Sequence, residues 1–234
     1  MSKTKKAVII GSVLVGIGVI IGFIGIAIGG FKFPNGAVDL TTMKALHAEK
    51  KTVQIADAFD KIEIAGASSM DIEICKSKTG KNYVEYYDTD DWTSHVDVKE
   101  HVLKFTTDDK GKHKAVVSLG FGKDTAARLY LADAEYKEIS VTTLSGYVTI
   151  QDVNAGTVNV SASSGDIDLE RCDAEGFDIT TSSGDVDMEI TAGRTYRFET
   201  KTNSGAVDVP DGDADSDYLC KIVTSSGDVE VKQK

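Results

Sequence analysis

A chain of 234 residues with 41% hydrophobic content can bury one sizeable core or two small ones, and it does so under a formal net charge of −11. Its first 31 residues hold Lys3, Lys5 and Lys6 and no acid, so the remainder carries 23 basic against 37 acidic residues. That balance excludes a nucleic-acid partner, because neutralising phosphates needs clustered Lys and Arg.

Residues 1–6 form a short basic tail. The run from Ala7 to Phe31 is uncharged for 25 residues, and as a helix it spans about 37 Å against a bilayer core of about 30 Å. This predicts a transmembrane helix over 7–31. The flanking lysines place the N-terminus in the cytoplasm and everything after Phe31 outside, at the cell membrane as a single-pass protein. A cleaved signal peptide is the competing reading, but its apolar region is shorter, about 7–15 residues, with a small-x-small site that only Ala27-Ile28-Gly29 faintly fits. Within the segment Gly11, Gly18, Gly22, Gly25 and Gly29 keep to one helix face. Gly18 to Gly22 and Gly25 to Gly29 are small-xxx-small pairs that permit close helix approach in lipid, hence self-association or a membrane-protein partner.

Residues 32–51 are mixed in composition, with Pro34-Asn35-Gly36 as a turn and Leu40 to Lys51 as a short helix, and read as a juxtamembrane linker. From residue 52 to the C-terminus the pattern becomes β-type alternation. It is visible in Val53-Gln54-Ile55, Ile62-Glu63-Ile64, Ile72-Glu73-Ile74, Val96-Asp97-Val98, Leu129-Tyr130-Leu131 and Ile139-Ser140-Val141, and predicts strands with one buried face. The aromatic stretch NYVEYYDTDDW, with Tyr83, Tyr86, Tyr87 and Trp92, reads as a non-repeat hairpin packed on its own rings.

From residue 129 to 231 the chain repeats one phrase: SSGDIDL (Ser163 to Leu169), TSSGDVDM (Thr181 to Met188), NSGAVDV (Asn203 to Val209) and SSGDVEV (Ser225 to Val231), with echoes at LSGYVTI (Leu144 to Ile150) and SSMDIEI (Ser68 to Ile74). Gly146, Gly165, Gly184, Gly205 and Gly227 lie 19, 19, 21 and 22 residues apart, the mark of stacked units. Each unit has a strand before its glycine and one after it. Phe177, Ile179, Val186, Met188 and Ile190 point inward, while Asp178, Asp185, Asp187 and Glu189 point out. The expected fold class is therefore all-β, a β-solenoid or right-handed β-helix-like stack of 19–22-residue repeats, each burying its apolar face against its neighbours. Glycine supplies the dihedrals of a tight structural turn, and Ser and Asp are expected to hydrogen-bond to nearby backbone. In the first echo Met70 stands where the glycine belongs.

The run LYLADAEYKEISVTTLSGYVTI, followed by SSGDIDL, TSSGDVDM and TSSGDVEV, resembles the putative-adhesin domain family of bacterial β-strand-repeat proteins over roughly Phe59 to the C-terminus. The resemblance implies an extracytoplasmic β-helix-like domain and, for anchored relatives, association with cell-envelope stress operons in Gram-positive bacteria. It brings no catalytic residues.

Other chemistry is thin. Gly120 to Thr125 departs from a phosphate loop, since Asp124 replaces the Ser/Thr and Val117 the first glycine. Lys78-Thr79-Gly80 lacks the companion motifs of penicillin-recognising serine enzymes and is better read as a turn. His47, His95, His101 and His113 are scattered. Cys75, Cys172 and Cys220 are too few and too irregular for a disulfide or zinc framework, and Cys220 aligns with Phe177 and Phe198 as a small buried hydrophobe. The outward carboxylates stack as an acidic ladder: Asp166, Asp168 and Glu170, then Asp185, Asp187 and Glu189, then Asp208, then Asp228 and Glu230. Lys201 and Lys221 balance the opposite face. Asp166, Asp168, Asp185 and Asp187 are candidate metal ligands for calcium, and the same face could draw basic wall components or cationic peptides. No enzyme emerges. The chain reads as an adhesin-like binding or scaffold protein that touches a cell-wall component. The alternative is an accessory or sensor of envelope stress acting through a membrane-protein partner.

Overall fold

The structure is a computed structural model. It describes residues 48–66, 70–89, 92–109, 126–132, 135–191 and 193–234, and the backbone of 37–39, 44–45 and 116–118. The expected membrane helix with Gly18, Gly22, Gly25 and Gly29, the segment 119–125, His47 and His113 lie outside the described residues.

Among the described residues every regular element is a strand. In chain order they are β1 (Ala37–Asp39), β2 (Lys44–Ala45), β3 (Ala48–Gln54), β4 (Lys61–Ala65), β5 (Ile72–Lys76), β6 (Tyr83–Thr89), β7 (Trp92–Lys99), β8 (Val102–Asp109), β9 (Val116–Ser118), β10 (Ala127–Leu131), β11 (Glu135–Ser145), β12 (Val148–Gln151), β13 (Asn154–Ser164), β14 (Ile167–Thr180), β15 (Val186–Ile190), β16 (Arg197–Lys201), β17 (Val207–Asp208), β18 (Leu219–Val223) and β19 (Val229–Gln233). Strands β1, β2 and β9 form a small separate sheet. Ala48–Lys51 are extended and pair antiparallel with β6, so the short helix expected up to Lys51 is replaced there by strand.

The other 16 strands make one sheet with two walls that share β14. Sheet 1 runs β3-β6-β10-β5-β12-β14-β15-β19-β17, and sheet 2 runs β7-β8-β4-β11-β13-β14-β18-β16. The first part of β14 pairs with β12 and β15 in sheet 1, and its last part pairs with β13 and β18 in sheet 2. Each coil is a sheet 2 strand, a glycine corner and a sheet 1 strand, joined to its neighbours in parallel. The fold is thus all-β and solenoid-like, as the repeat predicts.

Strict register stacks like on like inside the walls. Val148, Ile167, Val186 and Val229 form one buried column, and Ile150, Leu169, Met188 and Val231 the next. From sheet 2, Val158, Phe177 and Cys220 are buried in line, with Phe198 packed against them. Cys220 therefore stands in register with both Phe177 and Phe198, and burial pushes its thiol pKa up to about 12.

The coils do not stack in chain order. Strand β18 pairs with β14 on one side and β16 on the other, and β19 lies between β15 and β17. The C-terminal coil is thus inserted beneath the coil that precedes it. This corrects the ladder order expected from the sequence, in which Asp208 came before Asp228 and Glu230. At the opposite end antiparallel strands close the stack: β3 and β6 on sheet 1, β7 and β8 on sheet 2. Strands β6 and β7 belong to different walls, so the aromatic stretch is not one hairpin. Tyr83 stacks on Tyr130 across the sheet, and Tyr86 meets Phe105 edge-on.

The inserted coil is directly testable by cross-linking. With Cys75 changed to Ser, Asp187→Cys paired with Glu230→Cys places two cysteines on adjacent rungs at about 4.8 Å, within the disulfide range of about 4.4–6.8 Å. Oxidation is expected to cross-link this pair and to leave Asp187→Cys with Asp208→Cys, two rungs apart, reduced. The reverse pattern indicates coils stacked in chain order.

Candidate functional site: the glycine corner and the faces it positions

The repeated phrase builds a single spine. Gly146, Gly165, Gly184, Gly227 and Gly205 succeed one another up one edge of the stack, with φ of 144°, 128°, 157°, 154° and 156°. A Cβ on Gly184 would sit 2.1 Å from the carbonyl oxygen of Gly165, and one on Gly227 2.0 Å from that of Gly184. No side chain fits, and the backbone dihedrals also favour glycine. Met70 occupies the equivalent place in the first coil, since its carbonyl lies under Gly146. Its own side chain turns inward and is buried.

Two polar residues lock each corner to its neighbours. The Asp after the glycine accepts a hydrogen bond from the backbone N–H of the equivalent residue one coil on: Asp166 Oδ1 from Asp185 at 2.9 Å, Asp185 Oδ1 from Asp228 at 2.8 Å, and Asp228 Oδ1 from Ala206 at 2.7 Å. Asp71 Oδ1 does the same for the N–H of Tyr147 at 2.9 Å. The Thr three residues before the glycine donates the other way, to the glycine carbonyl of the coil beneath: Thr224 to Gly184 at 3.3 Å and Thr202 to Gly227 at 3.1 Å, with Thr181 to Gly165 longer at 3.5 Å. The expected role of Asp is therefore met between coils, not within its own turn. The Ser hydroxyls differ from expectation. The side chains of Ser163, Ser182, Ser183, Ser225 and Ser226 hold no hydrogen bond among the described residues, and these positions contribute backbone groups such as Ser183 O, which accepts from the Gly165 N–H at 3.0 Å.

The outward faces differ sharply in charge. On sheet 1 one register column reads Glu73, Thr149, Asp168, Asp187, Glu230, Asp208, and the next reads Cys75, Gln151, Glu170, Glu189, Lys232. A shallow groove of about 300 Å³ is lined by Asp168, Glu170, Asp187, Glu189 and Glu230 together with Arg171 and Lys232, and Lys232 pairs with Glu230 at 2.7 Å and Lys234 with Glu189 at 2.6 Å. Burial, then the charges of Glu170 and Asp187, raises the pKa of Asp168. Burial, Glu230 and Asp185 raise that of Asp187 despite Lys232. On sheet 2 the corresponding column alternates: Asp97, Lys104, Glu63, Ser140, Asn159, Asp178, Lys221, Glu199. Lys104 bonds Glu63 at 2.7 Å and Lys221 bonds Asp178 at 3.0 Å, the balance the sequence predicted.

Of the four calcium candidates, Asp166 and Asp185 use one carboxylate oxygen each on the corner amides, while Asp168 and Asp187 stand in the sheet 1 column one position further along. Among the described residues no group of three or more His, Cys, Asp or Glu is arranged to hold a metal ion. His95 Nε2 lies 3.1 Å from Asp108, and His101 sits in the β7–β8 turn with φ 63°. Sequence reasoning missed the second corner of the coil, where Arg171 makes a two-pronged bond to Asp152 at 2.7 and 3.0 Å. Both residues have positive φ, 51° and 55°. No recurrent phrase marks that corner.

Residues 59–234 match the family described as Toastrack DUF4097. The chain belongs to this family. A putative cell adhesion protein from Clostridium sporogenes ATCC 15579 is similar to this Toastrack chain with a TM-score of 0.60 at 16% identity, over 81% of this chain and all of that one. A putative adhesin (BF0245) from Bacteroides fragilis NCTC 9343 matches over 80% of this chain and 97% of its own at 15% identity, with a TM-score of 0.39. The first likeness supports the fold alone. No curated protein matches the chain in sequence.

Two substitutions separate the roles in the Toastrack corner. Gly184→Ala is expected to cost about 3 kcal/mol or more, combining left-handed strain of about 1–3 kcal/mol with a backbone clash. Ser183→Ala is expected to stay within about 0.5 kcal/mol. Denaturant melts check both, and equal small losses contradict the corner geometry. A third concerns charge. A raised carboxylate pKa means the folded state binds protons more readily than the unfolded one, so Asp187 costs stability at neutral pH, and the cost fades as pH falls through the raised folded pKa. Asp187→Asn is therefore expected to raise Tm by about 1–3 °C at pH 7. The gain should disappear near pH 4, where salt-bridged Asp60 and Asp152, whose pKa values are lowered, become the groups that matter. A fall in Tm at pH 7 contradicts a repulsive column.

Proposed function

We propose that this Toastrack chain is an extracytoplasmic binding or scaffold protein, adhesin-like, held at the membrane by the segment 7–31 with its N-terminus in the cytoplasm, and that it works by surface contact without catalysis. The observation that carries the reading is the asymmetry of its two walls. Sheet 2 shows that this fold accommodates alternating charges, with Lys104 against Glu63 and Lys221 against Asp178. Sheet 1 instead aligns Asp168, Asp187, Glu230 and Asp208 on adjacent rungs, and of these Glu230 pairs with Lys232 at 2.7 Å from the neighbouring column. Repulsion at such spacing lowers stability, and a charge pattern kept at a stability cost suits a surface selected for a cationic partner, a basic wall component or peptide. The adhesion naming of the Clostridium sporogenes protein points the same way. A right-handed path of the coils belongs to the same reading.

The test is retention on purified bacterial cell walls and on detergent-solubilised membrane proteins, comparing the full chain with residues 48–234. A wall-binding role predicts equal retention of both on walls, weakened by raising salt and by Asp168→Lys with Asp187→Lys. Retention of the full chain alone, on membrane proteins alone, supports instead the envelope-stress accessory acting through a helix partner.

A further inference from the structure

Resting on that surface-binding reading, the centre of sheet 2 forms a second contact surface. Toward the glycine corner, β11, β13 and the end of β14 with the residues just after it present nine outward positions: Ser140, Thr142 and Leu144, then Asn159, Ser161 and Ser163, then Asp178, Thr180 and Ser182. The β11 row continues away from the corner to Glu138, which pairs with Lys61 at 3.0 Å. In a chain with 27% charged residues, this block holds one charge, Asp178, and Lys221 neutralises it at 3.0 Å. Register aligns Ser140 with Asn159 and Asp178, and Thr142 with Ser161 and Thr180. The short side chains make a floor. Longer ones rise on both flanks, with the Glu63–Lys104 pair on one side and Lys221 and Glu199 on the other. The result is a trough of about 330 Å³ lined by Ser140, Thr142, Asn159, Ser161, Asp178 and Thr180.

Two further observations set this block apart. The hydroxyls of Ser140, Thr142, Ser161 and Thr180 and the Asn159 amide make no hydrogen bond among the described residues, whereas Thr202 and Thr224 at the corner spend theirs between coils. The corner beside the trough also breaks the repeat. Leu144 and Tyr147 replace the Ser and Asp of later coils, and they stand 58% and 59% exposed. Tyr147 carries no carboxylate, so the Asp166 N–H lacks the bond that Asp185, Asp228 and Ala206 receive in their coils. A structural hydrogen bond is absent where two large apolar side chains stand exposed on either side of Gly146.

We infer that the trough binds a neutral glycan chain. Charge selects the class. An anionic polymer meets a chain of net −11, and a cationic one is drawn to sheet 1, which leaves a neutral occupant for the uncharged sector. Parallel rows of free hydroxyl and amide groups, about 4.8 Å apart between strands, offer donors and acceptors to sugar hydroxyls. Leu144, the next outward position after Thr142 on β11, supplies apolar area for the C–H face of a sugar ring, and Tyr147 is exposed just past the glycine.

The experiment measures retention of the full-length chain in detergent on microcrystalline cellulose, on chitin and on purified Gram-positive cell walls. Ser161→Lys and Thr142→Lys obstruct the trough from outward strand positions, and Asp187→Lys on sheet 1 is the control. The expected result is retention on cellulose or chitin that falls at least about tenfold in Kd terms with either trough variant and is unchanged by the control. Chitin alone indicates that acetamido groups are read, and cellulose alone that hydroxyls suffice. No retention on either polymer, or retention indifferent to both trough variants, overturns the inference. Cell-wall retention that survives in that case leaves the surface-binding reading standing, and its loss as well removes both.

Discussion

The close approach of one glycine to the next along the corner spine is the constraint on which the rest of the structure depends. With about 2 Å between a hypothetical Cβ and the carbonyl oxygen beneath it, from Met70 to Gly205, the backbones of successive coils touch directly. Contact at that range leaves no freedom to slide, and a slip of one residue would reverse every side chain between core and solvent. The spine therefore sets the register that stacks Val148, Ile167, Val186 and Val229 in the interior. It also lines up the carboxylates outside. Burial of those columns then supplies the bulk of the driving force, while the Asp and Thr bonds direct it.

Much of this was legible in the sequence because the repeat is written in residues with one physical job each. Glycine at 19–22-residue spacing announced the corner, and alternation assigned Phe177, Ile179, Val186 and Met188 to the core and Asp178 and Asp187 to solvent. Even the alignment of Cys220 with Phe177 and Phe198 followed from it. The order of the last two coils did not. Spacing along the chain carries no information about which rung a coil occupies, and β18 fits between β14 and β16 with the same apolar pattern it would show at the end. One residue does hint at the answer. Ala206 replaces Asp in the coil whose β16 and β17 each have a single partner strand, where no further amide awaits a carboxylate.

The region before residue 129 was harder to read for a different reason. Strand β6 pairs antiparallel with the distant β3 and β10, while β7 turns back on β8, which joins β4 in parallel, so the aromatic positions of NYVEYYDTDDW spread over two walls. Tyr83 found Tyr130, and Tyr86 found Phe105. The second corner was illegible because Asp152 and Arg171 are an ion pair between coils and not a repeated word. The faces were partly legible: acid against balance could be counted, but the neutral trough appears only when three strands are laid side by side.

Hydrogen exchange at the corner amides, read residue by residue by NMR, tests the central claim most directly. The Asp ladder predicts slow exchange for the N–H groups of Tyr147, Asp185, Asp228 and Ala206, each bound to a carboxylate of the coil beneath, and fast exchange for Asp166, whose neighbour beneath is Tyr147. Asp185→Ala should speed exchange at Asp228 and leave Ala206 protected. Uniform exchange across all five amides, or loss of protection at Ala206 but not at Asp228, would contradict the spine and the coil order built on it.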